Sequence, residues 1–507
     1  MKYILSHDIG TTGVKSCLFD EKLKLKGSLY SPTDTCYLPD GAVLQQPEQW
    51  WSLIREAMRA LMAQSGVAPA QVAGICVDGH MNGCIPVDVD RRLLLEHTPL
   101  WADFSATEQA ARLEAAISPQ RFYEITGCGM DMPIYPLAKL CKLKDCRPNI
   151  YESAWKFIAT KDYINMKLTG RCCTDYSDAS NSGMLDMRSG DWSDEIIQAT
   201  GLDRAKLPEL VESTAVIGGL LPDVAAYCGL IAGTPVVAGC GDVPSASVGA
   251  GAYREDVYYI NIGSATWLSR SYDASQFLCD AEYKPFVLRH AAEGLLTAQL
   301  VSFGGGICFQ WIVDMLSGAM QGGGETAKKA AAHLYESIEA QERDYTKAPG
   351  ELFFLPYLRG GVPTNPRMKG SFIGLSMEHD AYDMIHAVQA GVAYHLRTMM
   401  PFISDKIDKP MTRVNIIGGG ARSGRWCQLI ADICGLDVIC APQLQFATAR
   451  GTAVIGGVGC GLFDDFKVID SLEDEWSVYL PDVKRREFYD RGYRRFRDLV
   501  AAMSDIS

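Results

Sequence analysis

The sequence predicts an α/β protein of two related lobes with a nucleotide cleft between them. Three observations lead there. Apolar runs of strand length alternate with longer stretches of helical periodicity along most of the chain, the pattern of sheets covered by helices. The stretch YILSHDIGTTG at Tyr3 to Gly13 is echoed by VYYINIGSAT at Val257 to Thr266: an apolar strand, a polar residue (Asp8 or Asn261), Ile-Gly, then small residues bearing hydroxyls. Copies half a chain apart are what duplicated lobes would give, each opening on a glycine-turned hairpin; chance likeness of two short glycine turns is the other reading. Last, at roughly 150 residues per domain, a chain of 507 residues with 48% hydrophobic and 21% charged residues has core enough for two large domains or three smaller ones.

Composition also excludes partners. The formal charge is −13, from 48 Lys and Arg against 61 Asp and Glu, which argues against nucleic acid and against an anionic membrane surface. The 17 cysteines are odd in number, scattered and without CxxC spacing. They read as reduced thiols of a cytoplasmic protein. His7 and Asp8 interrupt any signal-peptide core, and no run of 18 apolar residues follows, so the chain is expected neither to be exported nor to span a membrane.

In chain order, Tyr3 to Ser6 and Val14 to Phe19 read as the two strands of a hairpin turned by GTTG. A helix is expected from Pro47 to about Gln64, since Pro47 suits its first turn, Trp51, Ile54, Met58 and Leu61 recur at helical spacing, and Gly66 follows. Val72 to Val77 reads as a buried strand. The lobe boundary falls near Gly249 to Arg254, giving lobes 1–248 and 249–507. Ser317 to Gly324 reads as a surface loop. The charge-dense stretch Asp482 to Arg497 carries Tyr489, Tyr493 and Phe496 at helical spacing, so a terminal helix docked by an aromatic face explains it better than a nucleic-acid patch.

Phosphate binding needs backbone N–H groups and hydroxyls with no Cβ in the way. Gly10, Thr11, Thr12 and Gly13 fit that need, and Lys15 adds a positive charge two residues on; hairpin geometry alone is the structural alternative. Asp8 ends an apolar strand, where a carboxylate is costly unless paired or metal-bound. A water-mediated Mg²⁺ beside a phosphate cradle explains it; an Asp bonding local backbone is the alternative. In VVAGCGDVPSASVGAGA, Asp242 follows a buried strand amid small residues, placed to accept a proton from an attacking alcohol, unless it merely caps a helix over Ser245 to Val248. VNIIGGGARSGRWCQLIADICG reads as strand, triple-glycine turn and helix, with Trp426, Leu429, Ile430 and Ile433 as the buried face. Gly418 to Gly420 suit an adenine or a phosphate, but the GxGxxG spacing of dinucleotide folds is missing. Gly304 to Gly306, ahead of Gln310 and Trp311, could line the same cleft.

Together these residues resemble the FGGY carbohydrate kinases of the actin-like (ribonuclease H-like) ATPase superfamily, over essentially the whole chain. DIGTTGVK is similar to the first phosphate hairpin, GCGDVPSASVGAG to the catalytic-Asp motif and NIGSATW to the second phosphate hairpin. FFLPYLRG followed by GSFIGLS resembles the second-lobe signature, IIGGGARSGRWCQLIAD the adenosine motif, and TDYSDASNSGMLDMRSGDW the middle of the first lobe.

The resemblance implies ATP and Mg²⁺ as cofactors, Asp8 and Asp242 near the metal, and Asp242 as general base. It implies Gly10, Thr11, Thr12, Gly13, Lys15, Gly263 and Ser264 at the phosphates, and Gly306, Gln310, Gly419, Gly420 and Ala421 at the nucleotide. The flavour is nearest the xylulokinases, whose GQMHG and WxDxR motifs touch the sugar. Here those read GHMNG (Gly79 to Gly83) and WADFS (Trp101 to Ser105), so Met81, Asn82, Trp101 and Asp103 become substrate candidates. His80, Asn82 and Ser105 depart from the family pattern, as does RGGVP at Arg359 to Pro363; the nucleotide chemistry is intact while the sugar site is rewritten.

The expected activity is therefore transfer of the γ-phosphoryl group of Mg·ATP to a hydroxyl of a ketose such as xylulose. A polyol kinase (glycerol or erythritol), or a kinase of another ketose or a sugar acid, is the alternative. From another class, an ATP-driven conformational switch would use the same lobes. The implied partner is a small sugar or polyol, with homo-oligomers common in the family.

Overall fold

The structure is a computed structural model; it describes residues 1–129, 131–263, 265–277, 284–302, 304–318, 325–347, 351–360, 367–404 and 411–504. Ser264 and most of the Ser317–Gly324 and Arg359–Pro363 stretches lie outside the described residues. The chain is a mixed α/β fold that divides into two compact units. The first comprises Met1–Asp256, Ser271–Ala298 and Phe446–Ser471; the second comprises Val257–Arg270, Gln299–Gln445 and Leu472–Ser507.

A six-stranded sheet organises the first unit. Its strands are β1 (Tyr3–Gly10), β2 (Gly13–Asp20), β3 (Leu25–Pro32), β4 (Val72–Gly79), β5 (Val216–Gly219) and β6 (Pro235–Val237), in the order β5-β6-β4-β1-β2-β3. β1 and β2 form the antiparallel hairpin read from the sequence, and β4 lies parallel beside β1. Because side chains alternate along a strand, Tyr3 and Leu5 join a core with Trp50, Ile54 and Ile164, while Ile4, Cys17 and Phe19 pack on Ala449 and Ala453. Both faces of the sheet are thus covered. The helix Pro47–Ser65 begins with Pro at its first turn and ends at Gly66 in the left-handed conformation (φ 69°). It buries Trp50 as well as the four apolar positions foreseen.

Two helices of this unit touch backbone to backbone. A Cβ on Gly451 would collide with the Ser245 carbonyl oxygen, and one on Gly249 with the Ala447 carbonyl oxygen. Small residues on the helices Asp242–Gly249 and Ala447–Gly459 permit this approach.

The second unit repeats the local plan. Strands β7 (Val257–Ile262) and β8 (Thr266–Asp273) are neighbours, followed by β9 (Arg413–Ile417), β10 (Asp437–Cys440) and β11 (Ser477–Tyr479), in the order β8-β7-β9-β10-β11. β9 runs parallel to β7 as β4 does to β1. The helix Gly424–Cys434 buries Trp426, Leu429, Ile430 and Ile433. The terminal helix Arg486–Ser504 buries Tyr489 and Phe496, the docked aromatic face expected. Every cysteine among the described residues is a free thiol. No helix among the described residues is long and apolar enough to cross a membrane.

Candidate active site

Three aspartates gather at the strand ends of the first unit. Asp8 on β1 stands in register with Lys15 on β2 and with Asp78 on β4. Lys15 Nζ lies 3.8 Å from Asp8 Oδ2, so Asp8 faces a cross-strand cation rather than local backbone. The last residue of β4, Gly79, bridges Gly241; the next residue, Asp242, opens the helix Asp242–Gly249. Gly241 holds the N-cap position and makes no side-chain cap bond. Asp242 is therefore not a capping residue but the first residue of the helix.

Burial raises the proton affinity of all three carboxyls, and the charge of Asp8 adds to it at Asp78 and Asp242. Burial, then the charge of Asp8, pushes Asp242 up to about 7. Asp8 is raised by burial, against the pull of Lys15 and of a hydrogen bond shared with Asp78. Asp78, fully buried, is held well above the carboxylate range by burial and then by Asp8. An acid poised near neutrality suits general-base work. The expected strand Val72 to Val77 stops one residue short of Asp78, although Asp78 closes an apolar run as Asp8 does.

The β1–β2 turn is braced from outside. Gly13 has no room for a side chain, since a Cβ would lie 2.6 Å from the Ser31 carbonyl oxygen. Gln45 Nε2 donates to the Thr11 carbonyl at 2.7 Å, Tyr30 OH to the Thr12 carbonyl at 3.0 Å, and Trp101 Nε1 to Thr11 Oγ1 at 2.9 Å. Trp50 Nε1 in turn holds Gln45 Oε1 at 2.9 Å. Trp101, a substrate candidate, thus has its ring N–H committed to the hairpin. Gln45 and Trp50 were not singled out.

Met81 packs against Gly241, where a Cβ would come within 2.6 Å of its Cγ and Sδ. Asn82 is buried in the left-handed conformation (φ 67°), with its carbonyl oxygen accepting from Lys139 Nζ at 3.1 Å. Asp103 is buried and both carboxylate oxygens are taken: Oδ2 accepts from Val43 N at 3.2 Å, and Oδ1 from Ser105 N and Oγ at 2.9 and 2.6 Å. Met81 thus lies against the residue before Asp242, and Asp103 lines a cavity of about 540 Å³ with Lys139 and Lys142. Deeper in the same unit, Lys161 Nζ meets Asp162, Asp175 and Asp178 at 2.6, 2.9 and 3.0 Å, all four side chains buried.

In the second unit, a groove of about 1160 Å³ brings together Gly263, Gly306, Gln310, Gly419 and Gly420. Gly418 has φ 92° and its Cβ would strike Ile262, whereas a Cβ on Gly419 would meet nothing within 4 Å. The turn therefore packs tightly on one side and opens into the groove on the other. Ala421 is buried in that turn and does not line the groove. Tyr335, whose OH donates to Gln310 Oε1 at 2.7 Å, and Glu336 and Glu339 also line it. These three residues lie on the helix Glu325–Glu339, which in sequence looks like an ordinary amphipathic surface segment.

Comparison with known proteins agrees with this architecture. The FGGY family of carbohydrate kinases matches twice, its N-terminal domain over residues 3–249 and its C-terminal domain over residues 282–460. The xylulose kinase of Escherichia coli (strain K12) is 31% identical over 97% of this chain and 97% of its own. The gluconokinase of Bacillus licheniformis is 28% identical over 99% of this chain and 96% of its own. Among solved structures, the xyloylose kinase from Brucella ovis superposes with a TM-score of 0.87 at 27% identity, covering 99% of both chains.

Proposed function

The chain belongs to the FGGY family of carbohydrate kinases and is a sugar kinase; on that premise we propose that it moves the γ-phosphoryl group of Mg·ATP to a hydroxyl of a ketose such as xylulose. The observation that carries the reading is Asp242, a helix-opening carboxyl held at about 7 beside Asp8. Asp242 orients the acceptor hydroxyl and takes its proton. The hydroxyl oxygen bonds to the γ-phosphorus as the bond to the β,γ-bridging oxygen breaks, and ADP departs.

The other roles follow the chemistry of each group. Gly10, Thr11, Thr12, Gly13 and Lys15 would serve the phosphates through backbone N–H groups, hydroxyls and one cation, with Gly263 and Ser264 as their counterparts in the second unit. The groove at Gly306, Gln310, Gly419 and Gly420 would take the nucleoside, with Ala421 supporting the turn. Asp8 and Asp242 would hold Mg²⁺, which favours oxygen ligands and takes only one or two carboxylates; crowded acids with Lys15 as their nearest cation fit such an ion. When bound, it offsets charge on the phosphates. Among the described residues no group of three or more His, Cys, Asp or Glu is placed to hold a metal ion, so water and phosphate oxygens would complete a site built on these two carboxylates. Met81, Asn82, Trp101 and Asp103 are the proposed acceptor contacts, Asp103 by shaping the wall and Trp101 by fixing the hairpin.

ADP release coupled to a reporter, measured across pentuloses, hexuloses, polyols and aldonates, tests the reading. A ketose is expected to give the highest kcat/KM, and Asp242→Asn to keep nucleotide binding while losing transfer. Near-normal turnover by that variant would remove Asp242 from the mechanism, and a polyol or aldonate preference would replace the ketose.

A further inference from the structure

Two buried side-chain amides around Met81 have oxygens without partners. Asn181 follows the short helix Tyr176–Ser180, is 7% exposed, and gives its side-chain N–H only to Met81 Sδ at 3.8 Å. Its Oδ1 is buried without a hydrogen-bond partner, and so is Oδ1 of Asn82, which flanks Met81. A buried amide left unpaired carries a desolvation penalty that a bound ligand removes. Met81 joins the two amides and itself rests on Gly241, the residue before Asp242. Asn181 is therefore linked through Met81 to the residue before the proposed base, and Asn82 follows Met81 in the chain.

The charges around them are already committed. Lys139 Nζ donates to the carbonyls of Asn82 and Leu100 at 3.1 and 2.6 Å. Lys161 is spent on its three aspartates, and Lys15 stands against Asp8. His80, next to Met81, is pushed down to about 4 by burial and by Lys139, so it is neutral at physiological pH. Asp8, Asp78 and Asp242 are acids and offer no cation to an anionic substrate. Arg289, whose backbone N bonds Ser180 Oγ, gives its guanidinium to the Met187 carbonyl. Among the described residues a substrate carboxylate placed here would therefore meet acids and lysines already engaged, while hydroxyls would satisfy the amides.

We propose that Asn181, with Asn82, forms a hydroxyl-binding subsite that selects uncharged polyhydroxy acceptors against sugar acids. The proposal rests on the kinase reading above and adds to it a residue and a selection rule. Asn181 is a substrate-contact residue in this account, and loss of one neutral hydrogen bond amounts to about a tenfold weaker contact.

The experiment compares D-xylulose, xylitol and D-gluconate in the coupled ADP assay, for the natural protein and for Asn181→Ala and the near-isosteric Asn181→Leu. Thermal unfolding identifies any variant that fails to fold, and the folded one is read. The expected result is kcat/KM for a neutral acceptor at least tenfold above that for gluconate. KM for that acceptor should rise about tenfold in the folded variant, and KM for ATP should stay within twofold. Efficient transfer to gluconate, or an acceptor KM that Asn181 substitution leaves alone, overturns the subsite while the kinase stands. ADP formation that none of the three acceptors stimulates overturns the proposed transfer to a ketose, on which the subsite rests. If neither variant folds, Asn181→Ser is read by the same criteria.

Discussion

Thr452 gives its hydroxyl hydrogen to Asp78 Oδ2, a bond between residues 374 apart in the chain. It ties the helix Ala447–Gly459 to the strand end where the acidic cluster lies. The same helix carries Gly451, whose missing side chain lets Ser245 of the helix Asp242–Gly249 come close. One helix therefore sets the positions of two of the three aspartates, Asp78 by a hydrogen bond and Asp242 by packing.

Gly451→Ala tests the packing half of that relationship. The added methyl collides with a backbone oxygen, which cannot rotate away as a side-chain end can. Overpacking of this kind costs about 1–3 kcal/mol. We expect a lower midpoint in urea unfolding and a fall in kcat larger than any change in KM for ATP, because the helix bearing Asp242 is displaced. Unchanged kcat with lowered stability would show that Asp242 does not depend on this contact.

How much of this was legible in the sequence depends on whether a residue's role is local. The hairpins, the helix after Pro47 and the buried face of Gly424–Cys434 follow from period and turn chemistry, and the structure has them. Asp8 and Asp242 could be singled out because a charge ends an apolar strand. Thr452, Gly451, Gln45 and Asn181 could not. Each matters through a partner far away in sequence, and Thr, Gly, Gln and Asn are ordinary in helices and turns, so no local rule marks them. Trp101 shows the same limit from the other side: its motif was visible, but the hydrogen bond from its ring to Thr11 was not.

Trp101→Phe separates the two things that side chain can do. The substitution keeps the aromatic bulk and deletes the N–H that holds Thr11 Oγ1 at 2.9 Å. If the ring's main task is bracing the phosphate hairpin, KM for ATP rises several-fold, in line with loss of about 1 kcal/mol, while KM for the acceptor changes little. A rise confined to the acceptor KM would assign Trp101 to the sugar instead.

The pH profile should have an acid limb set by Asp242. A general base works as its anion, and burial with the neighbouring Asp8 charge pushes this carboxyl up to about 7. Since kcat/KM reports the free enzyme, it should fall tenfold per pH unit below about 7 and level off above. A limb near 4, the ordinary aspartate range, would mean that the free enzyme's base is not held in this environment.

Lys161 offers the largest expected effect on stability. Its ammonium sits 2.6 to 3.0 Å from three carboxylates, all buried, and these neighbours raise its proton affinity against the cost of burial. Lys161→Met keeps the length of the side chain and removes the only cation among those contacts. Removing one partner of a buried ion pair typically costs about 3–5 kcal/mol, because the remaining charge has no compensation. Without the ammonium, Asp178, already raised to about 8 by burial against the pull of Lys161, would be pushed further up. A carboxyl with a raised folded-state pKa binds protons more tightly folded than unfolded, so its presence favours the fold at low pH and penalises it as pH rises. The deficit of Lys161→Met relative to the natural protein should therefore be largest near pH 8 and shrink toward pH 5, read as the difference in urea midpoints across that range. A deficit that is constant with pH would mean that the variant loses packing rather than charge balance.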